Sequence, residues 1–285
     1  MNLKQLLRKS RLLSDARQMW LFHTAQVRVW DNPIFRLKIP SFVSPEEYET
    51  EEQILVRRLQ PYFDLFIDVG ANIGIYSGMC AKLGKQVVSI EPVSHNRKYL
   101  LNLIKLNNFQ DRISIIAAAL GPSSGQSKIF GEQAGASLMS HWYNTPASRS
   151  RTTRMLTLDE VLATKSKPGH EPSILIKIDV EGYEWEVLKG AMKTLNRRPM
   201  PTWLVEIHRM FPIQNKLCEN PNFKATLDCF IDKGYHCVCV LPDGNLKSIS
   251  QVDIESELED LRTDERLYMN YLFYDPNRIN PRSFD

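Results

Sequence analysis

The sequence predicts an α/β fold of Rossmann-like type, in which helices cover both faces of a mostly parallel, doubly wound sheet. Beyond Pro61, short apolar runs alternate with segments of helical periodicity, which is the pattern of βαβ units. The runs are almost continuously apolar, as strands buried on both faces are. A turn containing Gly70 and Gly74 follows the first run directly. The chain of 285 residues is long enough for one such domain and an N-terminal extension.

Residues 1–60 are predicted to form a helical extension, and residues 61–285 the α/β domain. Apolar residues recur at helical spacing over 3–19, with basic residues largely between them. This amphipathic helix has three possible roles: packing on the domain, peripheral contact with a membrane, or covering an anionic substrate. A second helix is expected to begin after Pro45 and to run towards Leu59.

Seven strands and four main helices are predicted in the rest of the chain. The strands are expected at 65–69, 86–90, 113–119, 174–178, 203–207, 235–241 and 268–274. The helices are expected at 75–83, 95–106, 184–195 and 223–233, and a turn at 242–245. The long segment 121–172, with short strands near 128–130 and 153–158, is of a length that usually carries function.

Composition and charge exclude several classes of protein. With 43% hydrophobic and 24% charged residues, the chain is expected to fold rather than to stay disordered. The five cysteines are odd in number and lack a pairing framework, so disulfides are not expected, and Cys237 and Cys239 lack two further zinc ligands. A net charge of +3 does not predict nucleic-acid binding. No transmembrane helix or secretory signal is found, so we expect a cytoplasmic protein.

The turn after the first strand has the features of a nucleotide-cofactor loop. Gly70 would allow a sharp turn and close approach of a ligand, and Gly74 would let the next helix pack tightly on the strand. A dinucleotide loop needs a glycine where this chain has Asn72. Asp68 would repel a pyrophosphate but suits the ammonium group of an amino-acid cofactor. The loop therefore favours a cofactor that carries an amine.

Glu91 ends the second strand about 20 residues beyond the loop, where doubly wound folds place an acid that binds ribose hydroxyls. Pro92 would fix the backbone that follows. Two structural alternatives remain: Asp68 as a loop-capping carboxylate, and Glu91 as an ordinary exposed acid at a strand end. The spacing of both acids around the glycine turn favours the cofactor interpretation.

Five sequence blocks together resemble the FkbM family of S-adenosylmethionine-dependent methyltransferases. The blocks are FIDVGANIGIYS at 66–77, IEP at 90–92, TLDE at 157–160, IKIDVEGYEWEVLKGA at 176–191 and VEIH at 205–208. The resemblance extends over about residues 46–274, and the fourth block is its most specific part. Asn72 agrees with the family pattern.

The resemblance implies a class I methyltransferase fold, with a seven-stranded sheet whose last strand is antiparallel. It implies S-adenosylmethionine as cofactor, with contacts at Asp68, Gly70 and Glu91, and methyl transfer to a hydroxyl of a sugar, a glycan or a polyketide-type small molecule. We further expect the cofactor site to include Ala71, Asn72, Gly74, Pro92, Ala118 and Asp179. Two functions from other classes remain as alternatives: a catalytically silent binding domain of the same fold, and a nicotinamide-dependent oxidoreductase.

Four polar residues at the ends of the fourth and fifth strands are expected to form one cluster. They are Asp179, Glu181, Glu206 and His208. His208 is the preferred general base, with Asp179 and Glu181 beside it, because a neutral hydroxyl must lose a proton during methyl transfer. The cluster would alternatively hold a divalent cation, although none is expected. In a structural alternative, the two acids cap the helix that follows.

Residues 131–142 are the candidate lid over the acceptor. Trp142 and Tyr143, near His141, would either stack on a sugar ring or anchor the long loop. The sequence does not decide between these alternatives.

Overall fold

The structure is a computed structural model that describes residues 27–31, 36–40, 50–131, 135–140, 142, 145, 147–165, 171–213, 216–241, 245–249 and 268–280. The helix predicted over residues 3–19 lies outside the described residues, so its three possible roles stay predictions. Within the described ranges, no helix is both long and apolar enough to cross a membrane.

The described residues form fifteen strands and seven α-helices. The strands are β1 (Val27–Asp31), β2 (Arg36–Pro40), β3 (Leu65–Val69), β4 (Gln86–Ile90), β5 (Ile113–Ile116), β6 (Ala119–Leu120), β7 (Gly125–Phe130), β8 (Ser150–Leu156), β9 (Ile174–Ile178), β10 (Thr202–His208), β11 (Met210–Ile213), β12 (Lys216–Glu219), β13 (His236–Val240), β14 (Leu246–Ile249) and β15 (Tyr268–Tyr274). The helices are α1 (Thr50–Arg58), α2 (Ile75–Lys82), α3 (Ser94–Asn107), α4 (Leu158–Ala163), α5 (Glu184–Lys189), α6 (Met192–Leu195) and α7 (Phe223–Ile231).

The central sheet has the strand order β14-β13-β15-β10-β9-β3-β4-β5. The five strands from β10 to β5 are parallel to their neighbours, whereas β15 lies antiparallel between β10 and β13. This confirms the predicted Rossmann-like sheet with an antiparallel last strand. The prediction of seven strands omitted β14, which pairs with β13 across the predicted turn at 242–245 and adds an eighth strand at the edge.

Two hydrophobic layers cover the faces of the sheet. One layer joins the sheet to α1, β2, α2 and α3, and the other joins it to α4, α5, α6 and α7. The parallel strands are buried along their whole length where both layers meet them, as in β3 and β9. Their carboxyl ends consequently meet at one edge, where ligands of such folds bind.

The N-terminal extension was predicted to be helical. The structure differs, because β1 and β2 form an antiparallel hairpin. Leu37 and Ile39 are buried in the layer of α2 and α3, while Arg36 before them and Lys38 between them are exposed. This period-two alternation is the signal of a half-buried strand. The side chain of Asn107 in α3 binds both the N–H and the carbonyl of Lys38. The hairpin is therefore part of the packed structure, and the domain boundary near residue 60 stays a prediction.

Two further predicted elements are interrupted in the structure. The helix predicted over 184–195 breaks between α5 and α6, where the carbonyl of Gly190 accepts a hydrogen bond from the N–H of Asp159. A Cβ on Gly190 would lie 2.1 Å from the carbonyl oxygen of Gly121, so the backbones approach closely there. The strand predicted over 113–119 ends at Ile116, because β6 joins a separate sheet with β8 and β7.

Candidate active site

A cavity of about 350 Å³ opens at the carboxyl ends of the parallel strands. Its wall includes every residue predicted for the cofactor site: Asp68, Gly70, Ala71, Asn72, Gly74, Glu91, Pro92, Ala118 and Asp179. Glu181 and Glu206 line the same cavity. The topology therefore brings together residues that are more than 100 positions apart in the sequence.

Two glycines shape the turn between β3 and α2. Gly70 has a φ of 83°, and a Cβ at this position would lie 1.8 Å from the carbonyl oxygen of Asp179. Gly74 has a φ of 90°, and its Cβ would lie 2.2 Å from a methyl group of Leu100 in α3. Gly74 thus allows contact between two helices, and the prediction that it serves packing of a helix on the strand is corrected. Asn72 also has a positive φ, of 49°.

Glu91 is fixed in the wall of the cavity by two backbone N–H groups. Its Oε2 accepts a hydrogen bond of 2.8 Å from Asn72, and its Oε1 accepts one of 2.7 Å from Val93. The side chain is buried, and burial raises its pKa to about 7. Glu91 is therefore not the exposed strand-end acid of the alternative interpretation. Its carboxyl group has the fixed position required to accept hydroxyl hydrogen bonds from a ribose.

Asp68 belongs to a buried network that the sequence did not indicate. Its Oδ2 accepts a hydrogen bond of 2.5 Å from Ser77 in α2, whose hydroxyl lies 2.7 Å from that of Ser89 in β4. Burial raises the pKa of Asp68, whereas the nearby Lys177 acts to lower it. Asp68 is thus connected to both the helix and the neighbouring strand, beyond the loop-capping role of the alternative interpretation.

Lys177 is the principal site residue that the sequence analysis did not identify. It lies in β9 with 3% of its side chain exposed, 2.6 Å from Asp179 Oδ2 and 4.6 Å from the centre of the Tyr76 ring. Burial acts to lower its pKa, but Asp179, Asp68 and Glu206 together raise it above its ordinary value. A single lysine within the apolar run of β9 is the signal for such a paired buried charge.

Replacing Lys177 with methionine is expected to lower the free energy of unfolding at pH 7.5 by about 3–5 kcal/mol, the usual cost of breaking a buried ion pair. The loss should shrink as the pH falls towards 4. Without the lysine the pKa of Asp68 rises further in the folded state, so the folded variant takes up protons that the unfolded chain lacks and gains stability at low pH. Urea unfolding at several pH values measures this change, and a destabilisation that does not vary with pH would contradict it.

Glu181 lies at the other end of the cavity, in a backbone conformation with a φ of 55°. Trp142 donates its Nε1–H to Glu181 Oε2 over 3.0 Å. Burial raises the pKa of Glu181 to about 7, and the negative charge of Asp179 adds to this effect. At neutral pH this carboxyl group is therefore present in both its protonated and its ionised form.

His208 belongs to the predicted cluster but lies behind the cavity wall. Its side chain is 1% exposed, and its Nε2 and Nδ1 lie 3.8 Å from Glu181 Oε2 and 3.9 Å from Glu206 Oε1. Burial lowers its pKa to about 4, so the imidazole is neutral at physiological pH. The cluster is thus assembled as predicted, with Glu181 between His208 and the cavity.

The helix-capping alternative for the two acids is wrong. Asp179 pairs with Lys177, Glu181 accepts from Trp142, and the first turn of α5 has no side-chain cap. In the alternative with a divalent cation, the four clustered side chains would be its ligands. Across the described ranges, no three His, Cys, Asp or Glu side chains are grouped as a metal site.

In the candidate lid, Trp142 anchors the loop. Its side chain is fully buried and packs edge-on against His208 and Phe211, with ring centres 4.9 and 5.4 Å apart. The alternative in which Trp142 stacks on a sugar ring therefore does not hold in this structure. Ser137 donates its hydroxyl to the carbonyl of Glu181 over 2.7 Å. His141 and Tyr143 lie outside the described residues.

Comparison with known proteins adds a family match. A family model described as the methyltransferase FkbM domain matches residues 68–237, which is more than half of the chain. No curated protein matches the chain. The matched region contains the glycine turn and Glu91, and also Asp179, Glu181 and His208.

Solved structures of methyltransferases are also similar to the chain. The methyltransferase FkbM from Methylobacillus flagellatus KT is 18% identical, with a TM-score of 0.44, over 74% of this chain and 44% of that one. This chain therefore spans less than half of that protein's length. Precorrin-6y C5,15-methyltransferase from Geobacter metallireducens GS-15 is 11% identical, with a TM-score of 0.40, over 84% and 94% of the two chains. An O-methyltransferase from Bacillus cereus is 12% identical, with a TM-score of 0.40, over 82% and 84%.

Proposed function

Because the chain belongs to the FkbM-domain family of S-adenosylmethionine-dependent methyltransferases, we propose that it transfers a methyl group to a hydroxyl of a sugar, a glycan or a polyketide-type small molecule. One observation carries the choice of a hydroxyl acceptor. Glu181, a carboxyl group with a pKa of about 7, lines the same cavity as the ribose-binding candidate Glu91. In its ionised form, such a carboxyl group can accept the proton that an attacking hydroxyl must lose.

The cavity residues fit S-adenosylmethionine. Glu91 is held rigidly to accept the ribose hydroxyls, and the turn from Gly70 to Asn72 forms the wall beside it. Asp68 and Asp179 provide carboxylates for the amino group of the cofactor, and Pro92 and Ala118 line the side next to Glu91. When bound, the cofactor supplies a methyl group on a positively charged sulfur. The volume of about 350 Å³ lies within the usual range of small-molecule sites.

Glu181 replaces His208 as our proposed proton acceptor. Its carboxyl group lines the cavity, whereas the imidazole is buried behind it with a pKa of about 4. A base works best when its pKa lies close to the working pH, and Glu181 meets that condition. We assign His208 a supporting position next to Glu181, and Lys177 the task of holding Asp179.

Calorimetric titration tests the cofactor site first. We expect the purified protein to bind S-adenosylmethionine and S-adenosylhomocysteine but not NAD. A Glu91→Gln variant should lose at least about 10-fold in affinity for the first two, because its amide cannot accept two hydrogen bonds from the ribose as a carboxylate does. Binding of NAD, or equal binding by the variant, would contradict the proposed site.

Transfer of a labelled methyl group then tests the activity. The wild type is incubated with methyl-labelled S-adenosylmethionine and a panel of sugars, glycans and polyketide-type alcohols, and product is identified by mass. Cofactor binding without transfer to any hydroxylated acceptor would favour the catalytically silent domain. Transfer to nitrogen or carbon acceptors alone would contradict the choice of a hydroxyl.

A further inference from the structure

The backbone around Glu181 is fixed from two directions. Glu181 and Gly182 both have positive φ values, of 55° and 89°. The N–H of Gly182 donates to Glu184 Oε1 over 2.9 Å, and the carbonyl of Glu181 accepts from Ser137 Oγ over 2.7 Å. A non-glycine residue in this conformation is strained, and such strain persists only where the surroundings enforce it. Here the surroundings include the loop that contains Ser137.

Trp142 fits against this turn and reaches the carboxylate. A Cβ on Gly182 would lie 2.6 Å from two ring atoms of Trp142, so only glycine leaves room for the indole. The ring packs edge-on against His208 and Phe211, and the Trp142 backbone forms a β-bridge with Ile213. These contacts fix the plane of the indole. They also direct its Nε1–H to Glu181 Oε2, 3.0 Å away.

We infer that Trp142 is a positioning residue for methyl transfer: its indole N–H orients the Glu181 carboxylate towards the acceptor and favours its ionised form. The inference rests on the proposed function, because it takes Glu181 as the proton acceptor. Ser137 supports the same arrangement through the backbone. Ser137 and Trp142 together thereby position the base.

The groups around Glu181 determine how its pKa changes when the indole N–H of Trp142 is removed. Burial and Asp179 raise the pKa of Glu181, whereas the Trp142 hydrogen bond and Lys177 lower it. His208 and Glu184 lie near the same carboxyl group, and Glu206 lies next to the other ring nitrogen of His208. The imidazole is neutral above its pKa of about 4. Removal of the indole N–H removes a donor to the ionised form. The pKa of Glu181 must then rise, and the pH range in which the base is active must move upward.

Trp142→Phe tests the inference, because phenylalanine keeps an aromatic ring but has no N–H. We expect kcat to fall about 10-fold at pH 7 and the acid limb of the kcat/KM profile to move upward by about one pH unit, with cofactor affinity unchanged. Trp203→Phe is the matched control, since Trp203 is equally buried but packs against Phe230 in the hydrophobic layer of α4 to α7. The control should keep the wild-type pH profile.

Indole NMR provides a readout that does not depend on activity. The protein has five tryptophans, and the Nε1–H signal that is absent from Trp142→Phe belongs to Trp142. We expect this signal to shift with pH with a midpoint near 7, and the shift to disappear in Glu181→Gln. A Trp142 signal that does not titrate would overturn the inference.

The two proposals fail in different ways. If Glu181→Gln loses activity but Trp142→Phe matches the wild type in kcat and pH profile, the role of Trp142 is wrong and the proposed function stands. If Glu181→Gln keeps full activity, the base assignment is wrong and the role of Trp142 falls with it. If the wild type methylates no hydroxyl, the proposed function fails, while the NMR titration still reports whether Trp142 and Glu181 interact.

Discussion

Glu181→Gln is expected to lower kcat for methyl transfer by about 10²–10⁴-fold, the usual contribution of a positioned general base. Glutamine has nearly the same shape and can still accept the Trp142 hydrogen bond, but its amide cannot take a proton at neutral pH. Binding of S-adenosylmethionine should be almost unchanged, because Glu91 holds the ribose end of the cavity. Single-turnover kinetics with saturating cofactor measures the effect on the chemical step.

The pH profile and a second variant distinguish Glu181 from His208. In the wild type with saturating cofactor, kcat/KM for the acceptor should rise with pH and level off above about 7, because Glu181 must be ionised. His208→Gln should keep that acid limb and lose far less activity. If His208→Gln abolished transfer while Glu181→Gln did not, His208 would be the base, as the sequence alone predicts.

Gly70→Ala is expected to abolish cofactor binding and to lower the free energy of unfolding by about 4 kcal/mol. Two costs add up: the positive φ of 83°, and a Cβ 1.8 Å from the carbonyl oxygen of Asp179. That oxygen belongs to the backbone and cannot rotate away, so the ends of β3 and β9 must separate. Urea unfolding and calorimetry with S-adenosylhomocysteine measure the two effects.

Gly84→Ala separates the cost of the positive φ from the cost of the steric contact. Gly84 has a φ of 86°, yet nothing lies within 4 Å of the position its Cβ would take. This variant therefore carries only the backbone strain, about 1–2 kcal/mol, and should bind the cofactor normally. Equal destabilisation in both variants would show that the contact with Asp179 is unimportant.

The sheet was predictable because its strands are short and nearly continuous in apolar residues. The predicted ranges 65–69, 86–90, 174–178 and 268–274 coincide with β3, β4, β9 and β15. The hairpin of β1 and β2 was missed because its strands alternate apolar and polar residues and lack the continuous apolar run that marks the buried strands. The edge strand β14 has four residues and gave no separate signal.

The candidate site was predictable where its residues end strands, as with Glu91 and Asp179, because parallel strands place their ends at one edge. The contact between Trp142 and Glu181 joins positions 39 residues apart through a long loop, and no local pattern predicts such a pairing. The spacing of residues along the strand also does not predict how deeply a side chain is buried. His208 faces the cluster as the period of β10 predicts, but the depth of the imidazole depends on how Trp142 packs over it.

The packing of β2 has a consequence for how the molecule can be divided. The family match begins at residue 68, yet Leu37 and Ile39 fill the space against α2 and α3. A fragment that begins after the hairpin would leave that apolar surface open to water and prone to self-association. We therefore expect an engineered truncation to retain β1 and β2 if the layer of α2 and α3 is to stay covered.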